Sequence, residues 1–116
     1  MIFLCYPKCS TCLKAKKWLD DNNIKYKLRD IKLNNPSAKE LKKWQKLSNL
    51  PLKKFFNTSG LLYKKYELKE KLPNMSIEEQ LKLLETDGML VKRPMLISDD
   101  FVLVGFKETE WNLLKK

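Results

Sequence analysis

Two cysteines three residues apart, Cys9 and Cys12, stand where an apolar run ends and a helix-like stretch begins. Ile2–Tyr6 is short, apolar and stopped by Pro7, the pattern of a buried strand. Leu13–Asn22 puts Cys12, Ala15 and Leu19 on one helical face, with Trp18 beside it and Lys14 and Lys17 opposite. Where a strand turns straight into a helix, the first N–H groups lack partners and the helix dipole is positive. A thiolate is favoured there. The second thiol lies one turn further on and can close a disulfide with the first. This corner constrains the chain to an α/β fold in which the first strand delivers a reactive thiol to the start of the first helix.

Asp21-Asn22-Asn23 marks a turn, and Ile24–Asp30 then alternates, with Ile24, Tyr26 and Leu28 on one side and Lys25, Lys27 and Arg29 on the other. That period of two predicts a half-exposed strand. Strand, helix and strand together are long enough for a right-handed parallel crossover. Ser37-Ala38-Lys39-Glu40 and Ser76-Ile77-Glu78-Glu79 both fit a capping box. The first opens a helix striped by Leu41, Trp44 and Leu47. The second opens one striped by Ile77, Leu81 and Leu84, which stops near Asp87-Gly88. Leu52–Phe56 fits one short helix, and Leu61–Leu72 is mixed. Met95–Ile97 and Phe101–Val104, separated by Ser98-Asp99-Asp100, signal a hairpin. A short helix is expected over Lys107–Lys115, packing Trp111 and Leu114. The order is β-α-β, then helices, then β-β-α, which is that of a thioredoxin-like α/β fold with a small mixed sheet. We expect one domain over residues 1–116, with a helical insertion at about 34–87. Trp18, Trp44 and Trp111 fall on or beside helical stripes and read as packing residues.

Composition narrows the function classes. Three cysteines, an odd number, do not suit an extracellular disulfide framework. Without histidine the chain also lacks the four ligands of a structural zinc site, so no metal is expected. A cysteine pair in a reducing compartment then reads as a redox pair. No segment approaches the roughly 18 apolar residues of a membrane span, and Met1–Tyr6 has no basic n-region, so a cytoplasmic location is expected. The net charge of +10 falls in the first half: residues 1–58 carry 14 Lys and Arg against 4 Asp and Glu, and residues 59–116 carry 10 against 10. That asymmetry fits either an acidic partner or a solvated lysine surface. No nucleic-acid motif accompanies it, and a monomer is expected.

Four segments resemble the arsenate reductase (ArsC)/Spx family of thioredoxin-fold proteins, in its Spx/MgsR-like branch. They are Tyr6-Pro7-Lys8-Cys9-Ser10-Thr11-Cys12 with Lys14-Ala15, Phe55-Phe56-Asn57-Thr58-Ser59-Gly60, Asp87-Gly88-Met89-Leu90-Val91-Lys92-Arg93-Pro94, and Val104-Gly105-Phe106-Lys107-Glu108. They keep the family's order and spacing and span most of the chain. The resemblance implies Cys9 as nucleophile and Arg93 beside a cis Pro94 facing the cysteine loop. It also implies where this chain departs. Two arginine positions that hold the oxyanion in arsenate reductases fall near Asn57 and Gly105, leaving Arg93, and Cys5 stands where those enzymes carry a histidine. An anion with several charged oxygens is bound best by several bidentate guanidinium contacts. The Cys9/Cys12 pair is similar to that of Spx, a redox-sensing regulator that grips the C-terminal domain of the RNA polymerase alpha subunit, although Pro51 stands where Spx has a glycine at that contact.

The roles expected are therefore these. Cys9 is the attacking thiolate, favoured by helix N-terminal amides, Lys8 and Arg93. Cys12 is the resolving thiol that releases a mixed disulfide. Arg93 stabilises the thiolate or a bound anion, and Pro94 shapes the substrate groove. Lys8, Ser10 and Thr11 complete the loop, with Ser10 or Thr11 bonding the thiolate or capping the helix. Cys5 reads as a strand packing residue, with a third redox thiol as the alternative if its side chain faces the Cys9 loop. The leading function is thiol–disulfide redox chemistry on a disulfide or oxidised substrate, with no bound cofactor and a thioredoxin- or glutathione-type reductant. An Spx-like regulator and an arsenate reductase are the rivals.

Overall fold

The computed structural model describes residues 1–115. Its strands are β1 (Ile2–Cys5), β2 (Lys27–Asp30), β3 (Met95–Ile97) and β4 (Val102–Val104). Its α-helices are α1 (Ser10–Asp21), α2 (Ala38–Ser48), α3 (Leu61–Lys65), α4 (Leu68–Lys71), α5 (Ile77–Glu85) and α6 (Glu108–Trp111). The sheet runs β2-β1-β3-β4, with β1 parallel to β2 and antiparallel to β3. This is the β-α-β and β-β-α order of a thioredoxin-like fold, with α2 to α5 inserted between the halves.

Alternation along each strand sends side chains to two layers. Phe3, Cys5 and Leu96 join Cys12, Ala15 and Leu19 of α1 and Trp111 of α6 in one apolar cluster. Leu4, Met95, Ile97 and Val102 face the other way, into a larger cluster with Leu41, Trp44, Phe55, Phe56, Leu81 and Leu84. Cys5 therefore faces α1, and Leu4, its neighbour, faces the insertion.

Both capping boxes form. Ser37 Oγ accepts from the Glu40 N–H and Ser76 Oγ from the Glu79 N–H, while each glutamate carboxylate accepts from the N-cap amide. The mixed stretch over Leu61–Leu72 resolves into α3 and α4, joined at Glu67 in a left-handed turn.

Several boundaries differ from the sequence reading. The β2 ladder begins at Lys27, not Ile24, because β1 starts at Ile2 and offers no earlier rung; the Lys27 N–H donates to the Met1 carbonyl. Ile24 and Tyr26 still pack on the α1 layer. Leu28 is half exposed, since its strand is the sheet edge and the apolar layer on that face is centred on β1 and β3. Ile77 is likewise half exposed, at the first position of α5. The tail helix is short: α6 ends at Trp111 and gives way to a 3-10 turn, Asn112–Leu114.

Two glycines are required by their surroundings. A Cβ at Gly88 would lie 1.8 Å from the Ile31 carbonyl oxygen. Gly105 has φ +77°, which L side chains rarely adopt. Among the described residues no helix is long and apolar enough to cross a membrane.

Candidate active site

Pro7 and Lys8 turn the chain from β1 into α1, and Cys9 is the N-cap of that helix. Its backbone is extended, its N–H donates to the Tyr6 carbonyl at 3.0 Å and its carbonyl accepts from the Leu13 N–H at 3.1 Å. The Cys9 side chain makes no capping hydrogen bond. Ser10 and Thr11 occupy the first helical positions and are exposed, as is Lys8. The expectation that Ser10 or Thr11 caps the helix is not met, because the N-cap place belongs to Cys9 one residue earlier.

All three thiols are free and share the α1 layer, but their exposure differs. Cys9 is half-buried; Cys5 and Cys12 are buried, at 4% and 1% exposure. Cys12 Sγ accepts a hydrogen bond from the Tyr6 N–H at 3.3 Å. A hydrogen bond to Cys5 pushes the Cys12 thiol far above the usual range, and burial adds to the rise. Bonds from the Tyr6 N–H and from Cys9 act against it. The same Cys12 bond lowers Cys5, opposed by its own burial and by the charges of Asp30 and Cys9 and assisted by Lys16. Cys12 is thus the buried, protonated thiol of the three.

Arg93 lies over Tyr6, its guanidinium carbon 5.3 Å from the ring centroid, a cation–π arrangement. The Arg93–Pro94 peptide bond is cis. The Nε and Nη1 of Arg93 are buried without a hydrogen-bond partner. Buried donors are almost always paired, so two unpaired on one cation mark a place for an acceptor. The carbonyl of Pro94 accepts from the Gly105 N–H at 2.8 Å, and the Asn57 N–H donates to the Leu90 carbonyl at 2.8 Å. The segments of Asn57 and Gly105 therefore border the one that carries Arg93, but neither residue brings a cation. Among the described residues no group of three or more His, Cys, Asp or Glu is arranged to hold a metal ion.

The sequence pattern of the ArsC family matches residues 4–114, which takes in all of these residues. The chain belongs to the ArsC family. Among its relatives is the uncharacterised protein YusI of Bacillus subtilis, 50% identical over 96% of this chain and 94% of that one. Regulatory protein MgsR of the same organism is 28% identical over 100% and 90%. An ArsC family related protein from Bacteroides fragilis superposes with a TM-score of 0.96 at 60% identity, covering 98% of this chain and 96% of that one. Likeness on that scale reaches the whole ArsC fold, not an isolated motif.

Reading the residues one by one missed Tyr6. Its backbone N–H holds Cys12 and its ring carries Arg93, so it ties the two halves of the site together. The signal available was its place after the last residue of β1 and just before Pro7, where the ladder with β2 has ended. The reading also left Cys5 open, and it belongs to the cluster.

Proposed function

We propose that this ArsC-family chain is a thiol–disulfide redox protein, acting as a monomer in the cytoplasm. Cys9 attacks a disulfide or oxidised substrate and Cys12 resolves the adduct as the Cys9–Cys12 disulfide. A thioredoxin- or glutathione-type reductant then restores both thiols. The observation that carries this reading is the contrast within one cluster: the half-buried Cys9 stands at the start of α1, and the buried, protonated Cys12 sits one turn behind it. An attacking thiol needs access, and a resolving thiol needs protection until its partner is engaged. The unpaired Nε and Nη1 of Arg93 support a substrate that brings an acceptor, such as a peptide carbonyl or a carboxylate, to the cis Arg93–Pro94 turn. Arsenate is a poorer fit, since Asn57 and Gly105 border this turn without contributing charge.

The test is a trap. The Cys12→Ser variant, mixed with a disulfide-bearing peptide, should accumulate a mixed disulfide at Cys9, seen as the added peptide mass. The wild-type chain should release the peptide and hold Cys9–Cys12. If no adduct forms on Cys12→Ser and mild oxidation leaves the wild-type pair reduced, the reading fails. Production of arsenite from arsenate by the wild-type chain would favour the arsenate rival.

The relation to MgsR, named a regulatory protein, supports a second reading. Here the same disulfide is a switch, and the basic N-terminal half docks on an acidic partner such as the RNA polymerase alpha subunit. Binding to that subunit that changes with the redox state would favour it over the enzyme reading.

A further inference from the structure

The redox pair has a third sulfur behind it. Cys5 ends β1 on the face that packs against α1, in the same apolar cluster as Cys9 and Cys12. The Tyr6 N–H that bonds Cys12 Sγ belongs to the Cys5–Tyr6 peptide, so the Cys12 sulfur rests within one peptide unit of the Cys5 backbone. Cys9 is the N-cap of α1, three residues before Cys12, and Cys5 ends β1 beneath that helix, so the three sulfurs share one layer. A disulfide exchange needs an attacking sulfur, a central sulfur and a leaving sulfur in sequence. Cys5, Cys12 and Cys9 supply the three.

We propose that Cys5 is a second resolving thiol: it attacks Cys12 in the Cys9–Cys12 disulfide, moves the bridge inward to Cys5–Cys12 and sets Cys9 free. The proposal rests on the thiol–disulfide reading above. In the step the Cys5 sulfur loses its proton to solvent and bonds to Cys12 Sγ. The Cys9–Cys12 bond breaks, and its electron pair stays on Cys9, which leaves as a thiolate. One disulfide is present before and after, so no oxidant or reductant enters. The oxidising equivalents came from the substrate disulfide already reduced.

The charges around Cys5 bear on its competence as attacker. Once Cys9 and Cys12 are bridged neither carries a proton or a charge, so the groups left to act on Cys5 are Lys16, which favours its anion, and burial and Asp30, its partner across the β1–β2 ladder, which oppose it. The consequence is that oxidation is stored in a bridge buried under α1, and the half-buried Cys9 is returned as a thiol that can engage a second substrate.

The sequence makes the test direct. Trypsin cuts after Lys8 and Lys14, so Cys5 falls in the peptide 1–8 while Cys9 and Cys12 share the peptide 9–14. The full-length reduced chain is oxidised with one equivalent of diamide, quenched over time with acid and N-ethylmaleimide, and digested. The expected course is a 9–14 peptide lighter by two hydrogens, replaced by a cross-link of 1–8 to 9–14 in which Cys9 carries the label. Diamide should give the same cross-link in Cys9→Ser, and Cys5→Ser should keep the internal 9–14 disulfide with complete loss of the cross-link. Wild-type chain that stops at the internal disulfide overturns the proposal and leaves the redox pair intact, as does a Cys9→Ser chain that forms no bridge. A wild-type chain that forms no disulfide at all overturns both.

Discussion

Cys12 is held by more partners than either of its neighbours in the loop, and that shapes what each sulfur can do. With the Tyr6 N–H on one side and Cys5 on another, it stays protonated and out of solvent. Cys9 needs no such hold, because the turn through Pro7 and Lys8 leaves it at the helix start, half open. Arg93 is the other residue whose state asks for an explanation. Two buried unsatisfied donors cost the folded chain free energy, of the order of 1–3 kcal/mol each. The cation–π contact with Tyr6 offsets part of this, by about 1 kcal/mol. Arg93→Met keeps the length of the side chain and removes the donors. The ligand-free variant should melt at or above the wild-type temperature, while adduct formation at Cys9 with a disulfide peptide falls about tenfold, roughly 1.4 kcal/mol. A variant that melts well below wild type would instead give Arg93 a structural role.

The elements that carry these residues are short, and close approaches align them. The 3-10 turn Gly88–Leu90 crosses the chain just after β2, where Gly88 meets the Ile31 carbonyl. That contact seats the segment leading to Arg93 and Pro94 against the first half of the sheet. Gly88→Ala would drive a methyl into backbone atoms, which cannot swing aside as a flexible side chain can. We expect a loss of about 3 kcal/mol, read as a lower denaturation midpoint in urea with an unchanged slope. The strands are no longer than four residues, so the layers beside them supply much of the order. On the α1 layer Phe3, Trp18, Phe106 and Trp111 pack edge to face, and the Trp111 indole N–H reaches the Gly105 carbonyl at 3.2 Å.

Across the whole molecule, the inserted helices are tied to the sheet by one ion pair with several partners. Arg29 on β2 meets Glu40 on α2 through two bonds, at 2.7 and 2.9 Å, and its Nε donates to the Asn34 carbonyl at 2.9 Å. Its guanidinium also lies over Trp44. The Arg29 guanidinium holds the Glu40 carboxyl below its ordinary value of 4.5, aided by the Ser37 amide and opposed by burial. A carboxyl lowered by folding stabilises the chain above its unfolded value, and that contribution is lost as the pH falls through its folded value. Glu40→Gln keeps a side chain that can cap the Ser37 amide but drops the charge. It should cost about 1 kcal/mol at pH 7, since the carboxylate is more than a third exposed. As the pH falls below the ordinary value of 4.5 the melting temperatures of variant and wild type should converge. A gap that stays constant down to pH 3 would show that the charge is not the source. The excess of positive charge in residues 1–58 is spread over exposed lysines of α1 and α2 and is not gathered at the cysteine loop, where Lys8 is the exposed cation.

Local chemistry made much of this legible. Serine three residues ahead of glutamate dictates where α2 and α5 begin, because those side chains satisfy helix amides with no help from elsewhere. Proline after an apolar run ends β1, and the apolar stripe of Cys12, Ala15 and Leu19 is buried as its spacing requires. The family's four segments carried the fold and the cis bond of Arg93–Pro94. Alternation along β1 also puts Cys5 on the same side as Phe3, but nothing local says which side α1 will cover. That choice belongs to the crossover and to the packing of α6, and it decides whether Cys5 is a spectator in the core or a third sulfur beside Cys12. The unpaired donors of Arg93 were beyond reach for the same reason. A residue's own chemistry sets what it can bond, while burial by segments distant in the chain sets whether a partner is left to it.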